Sequence, residues 1–142
     1  MELKHVSEKL KDLDFCMLVT ESSKSGELAG RPMSNNRQVD YQGDSYFFSL
    51  ESTTAVSDIQ ANPKVGLTFA EGKSLLGKPG AFIHVAGKGE IIKDKSLFKA
   101  HWTKDLDYWF EQGVETPGLV MIKVHASRIH LWNGKEEAEI KL

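Results

Sequence analysis

Short strand-like segments separated by turn residues recur along the whole chain, and this pattern most restricts the folds open to it. Counting the segments gives about six strands in a chain of 142 residues. Between them lie about two or three segments with helical periodicity. Many short strands with single inserted helices favour a small antiparallel β-barrel over a doubly wound parallel sheet. We therefore expect a mainly β protein, a β-barrel with inserted helices, with one domain over residues 1–142.

The strands are predicted from apolar alternation or from continuous apolar runs. The predicted strands cover residues 15–20, 30–39, 46–50, 64–69, 81–92, 120–124 and 129–132, with a short or frayed edge at 136–142. We expect the first to be buried on both faces. The turn residues Gln42-Gly43-Asp44 predict a hairpin between the second and third. Two glycines within 81–92 predict a bulge or bend, as barrel closure requires.

Three segments are predicted to be helical. Residues 2–13 are amphipathic, with Leu3, Val6 and Leu10 on one side, and we expect this helix to close one end of the barrel. A second helix follows the hydroxyl residues 52–54 and ends at Asn62-Pro63, and a third starts at Asp94. The segment Tyr108-Trp109-Phe110 follows it, and these rings either pack in the core, cover a flat ligand or form a dimer contact.

The start of the second helix has the chemistry of an anion site. Ser52, Thr53 and Thr54 supply hydroxyl groups, and the first N–H groups of a helix carry the positive end of its dipole. Arg31 lies on the neighbouring predicted strand. A phosphate is the usual occupant of such a site, but Ser and Thr are also ordinary helix caps that bind nothing.

Composition and motifs exclude several other functions. The formal net charge of −2 gives no drive towards nucleic acid. The lone Cys16 lies in an apolar run and is expected to be buried, and the five histidines lack metal-ligand spacing, so no metal site is expected. No nucleophile elbow, P-loop or dinucleotide fingerprint is present. No stretch approaches the length of a membrane span or a signal peptide, so we expect a cytoplasmic protein.

A series of motifs in order along the chain resembles the FMN-binding split barrels related to pyridoxamine phosphate oxidase, in the small general stress protein branch. The motifs lie on predicted strands, at helix starts and beside the third helix. They are Arg31-Pro32-Met33, Phe47-Phe48-Ser49, Thr53-Thr54-Ala55, Asn62-Pro63, Val85 to Ile91 with Asp94, Trp102, Trp109-Phe110 with Gly113, and Leu131-Trp132. The resemblance extends over nearly the whole chain.

The resemblance implies a homodimer of split barrels with one FMN at each of two sites between the subunits. The flavin would lie beside Arg31, Pro32, Met33 and Ser34. Phe48 and Ser49 would meet the ring and ribityl chain, and Thr53 and Thr54 would hold the phosphate. Trp132, from the partner subunit, and Trp109 would contact the cofactor. An isoalloxazine ring needs apolar walls, and its phosphate needs N–H groups, hydroxyls and cations.

The sequence departs from the family pattern at charged positions. The phosphate-binding Arg-Lys pair of the family is replaced by Thr54 and Ala55, at a cost of about 2–4 kcal/mol in binding energy if nothing compensates. Asn36 stands where true pyridoxamine phosphate oxidases have a lysine, and carboxylates stand where they have basic residues. These carboxylates are Glu136, Glu137 and Glu139. The sequence therefore predicts the family's fold without pyridoxamine phosphate oxidase activity.

Two function classes remain from the sequence. The first is a flavoenzyme, an oxidoreductase that moves electrons between FMN and an unidentified small-molecule redox partner. The second is a non-catalytic flavin-binding or stress-associated dimer with weakened cofactor affinity. No catalytic residue is identified, because no proton donor stands out.

Overall fold

Antiparallel strands form most of the structure, a computed structural model that describes residues 2–35 and 40–142. The strands are β1 (Phe15–Glu21), β2 (Leu28–Ser34), β3 (Asp44–Leu50), β4 (Lys64–Ala70), β5 (Phe82–Ile92), β6 (Leu119–Asn133) and β7 (Glu136–Lys141). The helices are α1 (Leu3–Leu10), α2 (Thr54–Ala61) and α3 (Lys95–His101), with 3-10 turns at Lys104–Tyr108 and Gly113–Glu115. The predicted mainly β architecture with inserted helices is confirmed.

The sheet is ordered β2-β1-β4-β5-β6, and the edge of β6 that does not pair with β5 pairs with two further strands. The first half of β6 pairs with β3, and its second half pairs with β7. Every pairing is antiparallel. Within the described residues β2 and β3 are the two ends of this path and do not pair, so the barrel is split between them.

The predicted hairpin between the second and third strands is wrong. β2 instead pairs along its whole length with β1, from Phe15 opposite Ser34 to Glu21 opposite Leu28. β3 pairs with β6, where its adjacent aromatic residues Phe47 and Phe48 meet apolar residues on both faces of the partner strand. The turn residues around Gly43 therefore end a longer connection. Part of the predicted second strand, residues 36–39, lies outside the described residues.

The two predicted strands at 120–124 and 129–132 are one strand, β6. The intervening polar residues stay extended because β5 pairs with β6 along nearly its whole length and because Ala126 keeps a small side chain turned inward, with none of its surface exposed. The predicted bulge is confirmed, since the β5–β6 register shifts between Ala86 and Gly87. At Gly87 the backbone of β6 approaches so closely that a Cβ atom would overlap the carbonyl oxygen of His125.

The apolar residues form two clusters. The main core lies inside the barrel, and α1 contributes Val6 and Leu10 to it. The prediction that this helix closes one end of the barrel stays a prediction. The second cluster lies where α3 and the following 3-10 turn cover β3 and β6, and it includes Phe48 and Phe98. β1 was expected to be buried on both faces, but buried and exposed residues alternate along it, so only one of its faces packs in the core.

Three further findings concern membrane-spanning helices, metal-binding groups and the environment of Cys16. Among the described residues, no helix is both long and apolar enough to cross a membrane. The same part of the chain brings together no group of three or more His, Cys, Asp or Glu side chains with the geometry of a metal site. Cys16 is buried, and desolvation raises the pKa of its thiol to about 12.

Candidate functional site

An apolar slot of about 260 Å³ lies between one end of the β1–β2 pair, where Phe15 is opposite Ser34, and the 3-10 turn Lys104–Tyr108 with its continuation. The residues that line this apolar slot are Phe15, Pro32, Met33, Ser34, Phe48, Leu106, Trp109 and Phe110. Five of them are residues that the sequence predicts for the cofactor site. The structure therefore brings together Pro32, Met33, Ser34, Phe48 and Trp109.

Aromatic edge-to-face contacts hold the wall of the apolar slot in place. Phe48 meets Phe98 with ring centroids 5.8 Å apart and Trp102 at 4.8 Å. Trp102 in turn meets Phe110 at 5.9 Å, and its indole N–H donates to Asp107 Oδ1 at 2.9 Å. Such pairs add to the stability gained by burial and restrict ring rotation. The slot is therefore preformed, as sites for flat ligands usually are.

Two hydroxyl groups meet at the start of α2. Ser49 Oγ at the end of β3 lies 3.1 Å from Thr53 Oγ1, so both predicted residues are brought together. Thr53 is the N-cap of α2, but its side chain makes no capping hydrogen bond. The N–H groups of the first helical turn therefore donate no hydrogen bond to the side chain of the N-cap residue, and the exposed Thr54 lies beside them. This arrangement suits an anion.

Arg31 is committed to contacts within the fold. Its Nη1 group donates to Thr20 Oγ1 at 2.8 Å and to two backbone carbonyl oxygens at 3.2 Å. Its Nη2 atom lies 3.5 Å from Oδ2 of Asp58, on the second turn of α2. The guanidinium thus joins β1 and β2 to α2. Among residues 2–35 and 40–142 no acceptor is hydrogen-bonded to its Nε–H, which leaves this donor for a further acceptor.

Asp58 was not foreseen from the sequence. It is 3% exposed and accepts hydrogen bonds from the backbone N–H of Ser23 at 2.9 Å and from Thr20 Oγ1 at 2.8 Å. The Ser23 N–H is the main cause that holds the pKa of this carboxyl below its usual value, with help from Thr20 and the charge of Arg31 against the effect of burial. The signal that could have revealed it is a carboxylate between Val56 and Ile59 on the apolar side of a helix.

The two predicted tryptophans lie apart. Trp109 lines the apolar slot and is 56% exposed, whereas Trp132 lies on the outward face of β6 and is 38% exposed. Trp132 stacks on His130 with centroids 4.1 Å apart and planes 9° from parallel. It takes no part in the slot of its own chain. The slot is also lined by Phe15, Leu106 and Phe110, which were not predicted as cofactor-binding residues. A prediction of alternating burial along β1 would have indicated that Phe15 faces outward.

The family model described as pyridoxamine 5′-phosphate oxidase like matches residues 1–142. The chain belongs to this family. It is 29% identical over 129 residues to general stress protein 26 of Bacillus subtilis, across 87% of this chain and 90% of the relative. A crystal structure from Clostridium acetobutylicum, of a protein related to general stress protein 26, superimposes with a TM-score of 0.82 at 18% identity, covering 99% of this chain and 94% of that one.

Membership of the pyridoxamine 5′-phosphate oxidase-like family confirms the resemblance and the split-barrel fold. The fold alone does not determine the ligand. A heme binding protein from Mycobacterium smegmatis superimposes with a TM-score of 0.74 at 10% identity, covering 99% of this chain and 58% of that one. The ligand of this member of the family must therefore be argued from its own site.

Proposed function

We propose that this protein is an FMN-binding flavoprotein that works as a homodimer with a flavin at each of two sites between the subunits. The observation that supports this proposal most is the apolar slot, whose walls combine aromatic rings with Pro32, Met33 and Ser34 of β2. A flat ring system gains most from such walls. When bound, the flavin supplies the electron-transfer chemistry, while the chain binds and orients it.

The start of α2 supports the choice of a phosphorylated flavin. Its uncapped N–H groups, with the hydroxyls of Ser49 and Thr53 beside them, can donate hydrogen bonds to a phosphate. Arg31 adds less than the sequence predicts, because Asp58 balances its charge at 3.5 Å. The predicted ligands Thr53 and Thr54 therefore carry most of the phosphate contact, and the affinity rests on neutral donors.

Two observations support a site that is completed by a partner subunit. The apolar slot, at about 260 Å³, is smaller than the roughly 300–1,000 Å³ of typical ligand pockets. Trp132, a predicted flavin contact, lies outside the slot of its own chain, which supports a contact with the flavin of a second subunit. The two-subunit site satisfies both conditions.

We favour an oxidoreductase with an unidentified small-molecule partner over pyridoxamine phosphate oxidase activity. The strand after Trp132 carries Glu136, Glu137 and Glu139. Arg128 pairs with Glu139 at 2.7 Å, and the other two carboxylates would repel a phosphorylated substrate. The alternative is a non-catalytic flavin-binding or stress-associated dimer. Anaerobic mixing with NADH or NADPH separates the two: bleaching of the flavin's visible absorption at about 1 per second or faster, as turnover requires, supports the enzyme. Flavin that stays oxidised with both reductants favours the alternative.

The cofactor assignment is tested by titrating FMN and riboflavin into the protein and into a charge variant. Thr54→Lys places an ammonium on the exposed first position of α2 and should tighten FMN by about five- to thirtyfold at low salt, with less gain at high salt. Riboflavin should gain nothing. Gln60→Lys, exposed in the last turn of the same helix, is the matched control and should change neither affinity. Equal wild-type affinities for FMN and riboflavin would refute phosphate recognition at α2.

A further inference from the structure

The connection between β4 and β5 contains a tight turn with two leucines at its apex. The N–H of Gly77 donates to the carbonyl oxygen of Ser74 at 2.9 Å, which closes the turn. Leu75 and Leu76 are the two residues between them. Central turn positions usually hold Gly, Pro, Asn, Asp or Ser, so the turn itself does not require leucine. We call residues 73–78 the β4–β5 tip.

Both leucines of the β4–β5 tip are almost fully exposed. Leu75 is 107% exposed and Leu76 is 85% exposed, so neither packs on the described part of the chain. Exposure of an apolar side chain forgoes the free energy that its burial would gain. Two adjacent leucines held outward by a closed turn therefore indicate a contact with another surface.

The β4–β5 tip is also positively charged. Lys73 and Lys78 flank the leucines, and neither ammonium group forms an ion pair within the described part of the chain. The carboxylate nearest in sequence, Glu71, lies at the base of the loop, 3.4 Å from Lys9 Nζ and 3.1 Å from the N–H of Ala81. Charges at a surface act over roughly 8 Å at physiological salt. The two lysines therefore make the tip cationic, although the formal net charge of the chain is −2.

The shape of the β4–β5 tip favours a membrane over a protein as its partner. A stable protein interface buries roughly 1,200–2,000 Å² in total, and two apolar side chains among lysine, serine and glycine supply only a small part of this area. A bilayer needs no matching pocket, because it surrounds a protruding side chain, and its anionic headgroups attract nearby lysines.

We infer that the β4–β5 tip binds the surface of a membrane that contains anionic lipids. Leu75 and Leu76 enter the boundary between headgroups and acyl chains, and Lys73 and Lys78 contact the headgroups. This contact is peripheral and does not depend on the flavin.

Co-sedimentation of the full chain with vesicles tests the role of charge. Vesicles of phosphatidylcholine alone are compared with vesicles of phosphatidylcholine and phosphatidylserine in equal parts. Wild type should bind the mixed vesicles at least about tenfold more tightly, with a smaller difference at high salt. Lys73→Gln and Lys78→Gln should each weaken binding to mixed vesicles by about three- to tenfold. Lys24→Gln is the control, because this exposed lysine lies in the turn at the opposite end of β1 and β4 and should have no effect.

The leucines provide the decisive variants. Leu75→Glu and Leu76→Glu should each weaken binding to mixed vesicles by more than about tenfold. Leu28→Glu is the matched control, because Leu28 is 80% exposed at the opposite end of the sheet, and it should bind like wild type. In Leu76→Trp the added indole should be quenched by bromine-labelled acyl chains, whereas in Leu28→Trp it should not.

Three results would overturn the inference. Wild type that does not bind mixed vesicles, or binds them no better than neutral ones, shows that the β4–β5 tip recognises no anionic membrane. Glutamate variants of Leu75 and Leu76 that bind like wild type place the contact elsewhere. A changed mass of Leu76→Glu in light scattering assigns the leucines to a contact between copies of the chain instead.

Discussion

Asp58 shows how one side chain can hold three elements together. Within residues 2–35 and 40–142 it is the only buried charged residue, and it joins α2 to Thr20 on β1, to Arg31 on β2 and to the backbone of Ser23 in the turn between them. A buried carboxylate is tolerated only when its oxygens accept hydrogen bonds or face a cation. Both conditions are met here.

Asp58→Asn should therefore destabilise the protein in a pH-dependent way. The folded protein holds the pKa of this carboxyl below its ordinary value of about 3.9, so the ionised form stabilises the fold above that pH and the effect is lost as pH falls. At pH 7 the variant should lose about 1–3 kcal/mol of unfolding free energy in urea, because Arg31 loses its counter-charge. The gap between variant and wild type should narrow below about pH 4.

The matched control is Asp12→Asn, an exposed carboxylate just after α1, which should change stability little at any pH. A variant at position 58 as stable as wild type at pH 7 would show that the Arg31–Asp58 contact contributes nothing to the fold.

At the level of single residues, the sequence predicted which side chains gather but not which way they point. The adjacency of Pro32, Met33 and Ser34 with Phe48 was predicted through the family resemblance, and these residues line the apolar slot together. Ala55, by contrast, is 4% exposed and packs in the main core. Whether the second position of a helix faces solvent depends on how the helix lies on the sheet, which no local pattern contains. The exposed Thr54 is therefore the better position for an added cation.

Among the elements, the bulge between β5 and β6 depends on the absence of a side chain at Gly87. A Cβ atom there would overlap the carbonyl oxygen of His125, and backbone cannot move aside as a flexible side chain can. Gly87→Ala should therefore lower the unfolding free energy by about 1–3 kcal/mol or more, measured by urea denaturation.

Gly72→Ala is the control for this substitution. Gly72 lies in the connection between β4 and β5, has no atom within 4 Å of the place that a methyl group would occupy and has no positive φ, so alanine should be neutral or slightly stabilising. Equal stabilities of the two alanine variants would mean that the β5–β6 contact can relax at no cost.

The strands themselves could be predicted, but their partners could not. Alternation and apolar runs located β1, β3, β4 and β5 to within a few residues. Pairing depends on contacts between residues far apart in sequence, and β3 passes over its neighbours in the chain to pair with β6. The break predicted within β6 fails for a similar reason, because neighbouring strands keep polar residues extended there.

Across the whole molecule, the outward face of the sheet is more apolar than a monomer requires. Phe15, Met17, Phe82 and Trp132 are each between 38% and 53% exposed, and Phe82 lies directly opposite Trp132. Exposed aromatic residues grouped on one sheet face are typical of a subunit interface. This face supports the proposed homodimer.

Phe82→Glu should convert the dimer to a monomer, because the interface would have to bury an unpaired carboxylate. Light scattering should then give the mass of one chain, and FMN affinity should fall at least about tenfold if each site uses both subunits. Leu75→Glu, in the loop between β4 and β5, alters an exposed apolar residue away from the sheet and should leave mass and affinity unchanged. A wild-type protein that is monomeric at micromolar concentration would contradict the shared-site proposal.

The shared edge of β6 also has a consequence for how the chain reaches this structure during synthesis. β3 is complete by Leu50, yet its pairing partner begins only at Leu119, so its edge and the aromatic residues on it stay uncovered while the intervening chain is made. A ribosome adding about 5–20 residues per second leaves that edge unpaired for several seconds. Closing so long a loop is also slow, so we expect the β3–β6 pairing to be a late folding step. The nascent protein is thus most vulnerable to misassociation before β6 emerges.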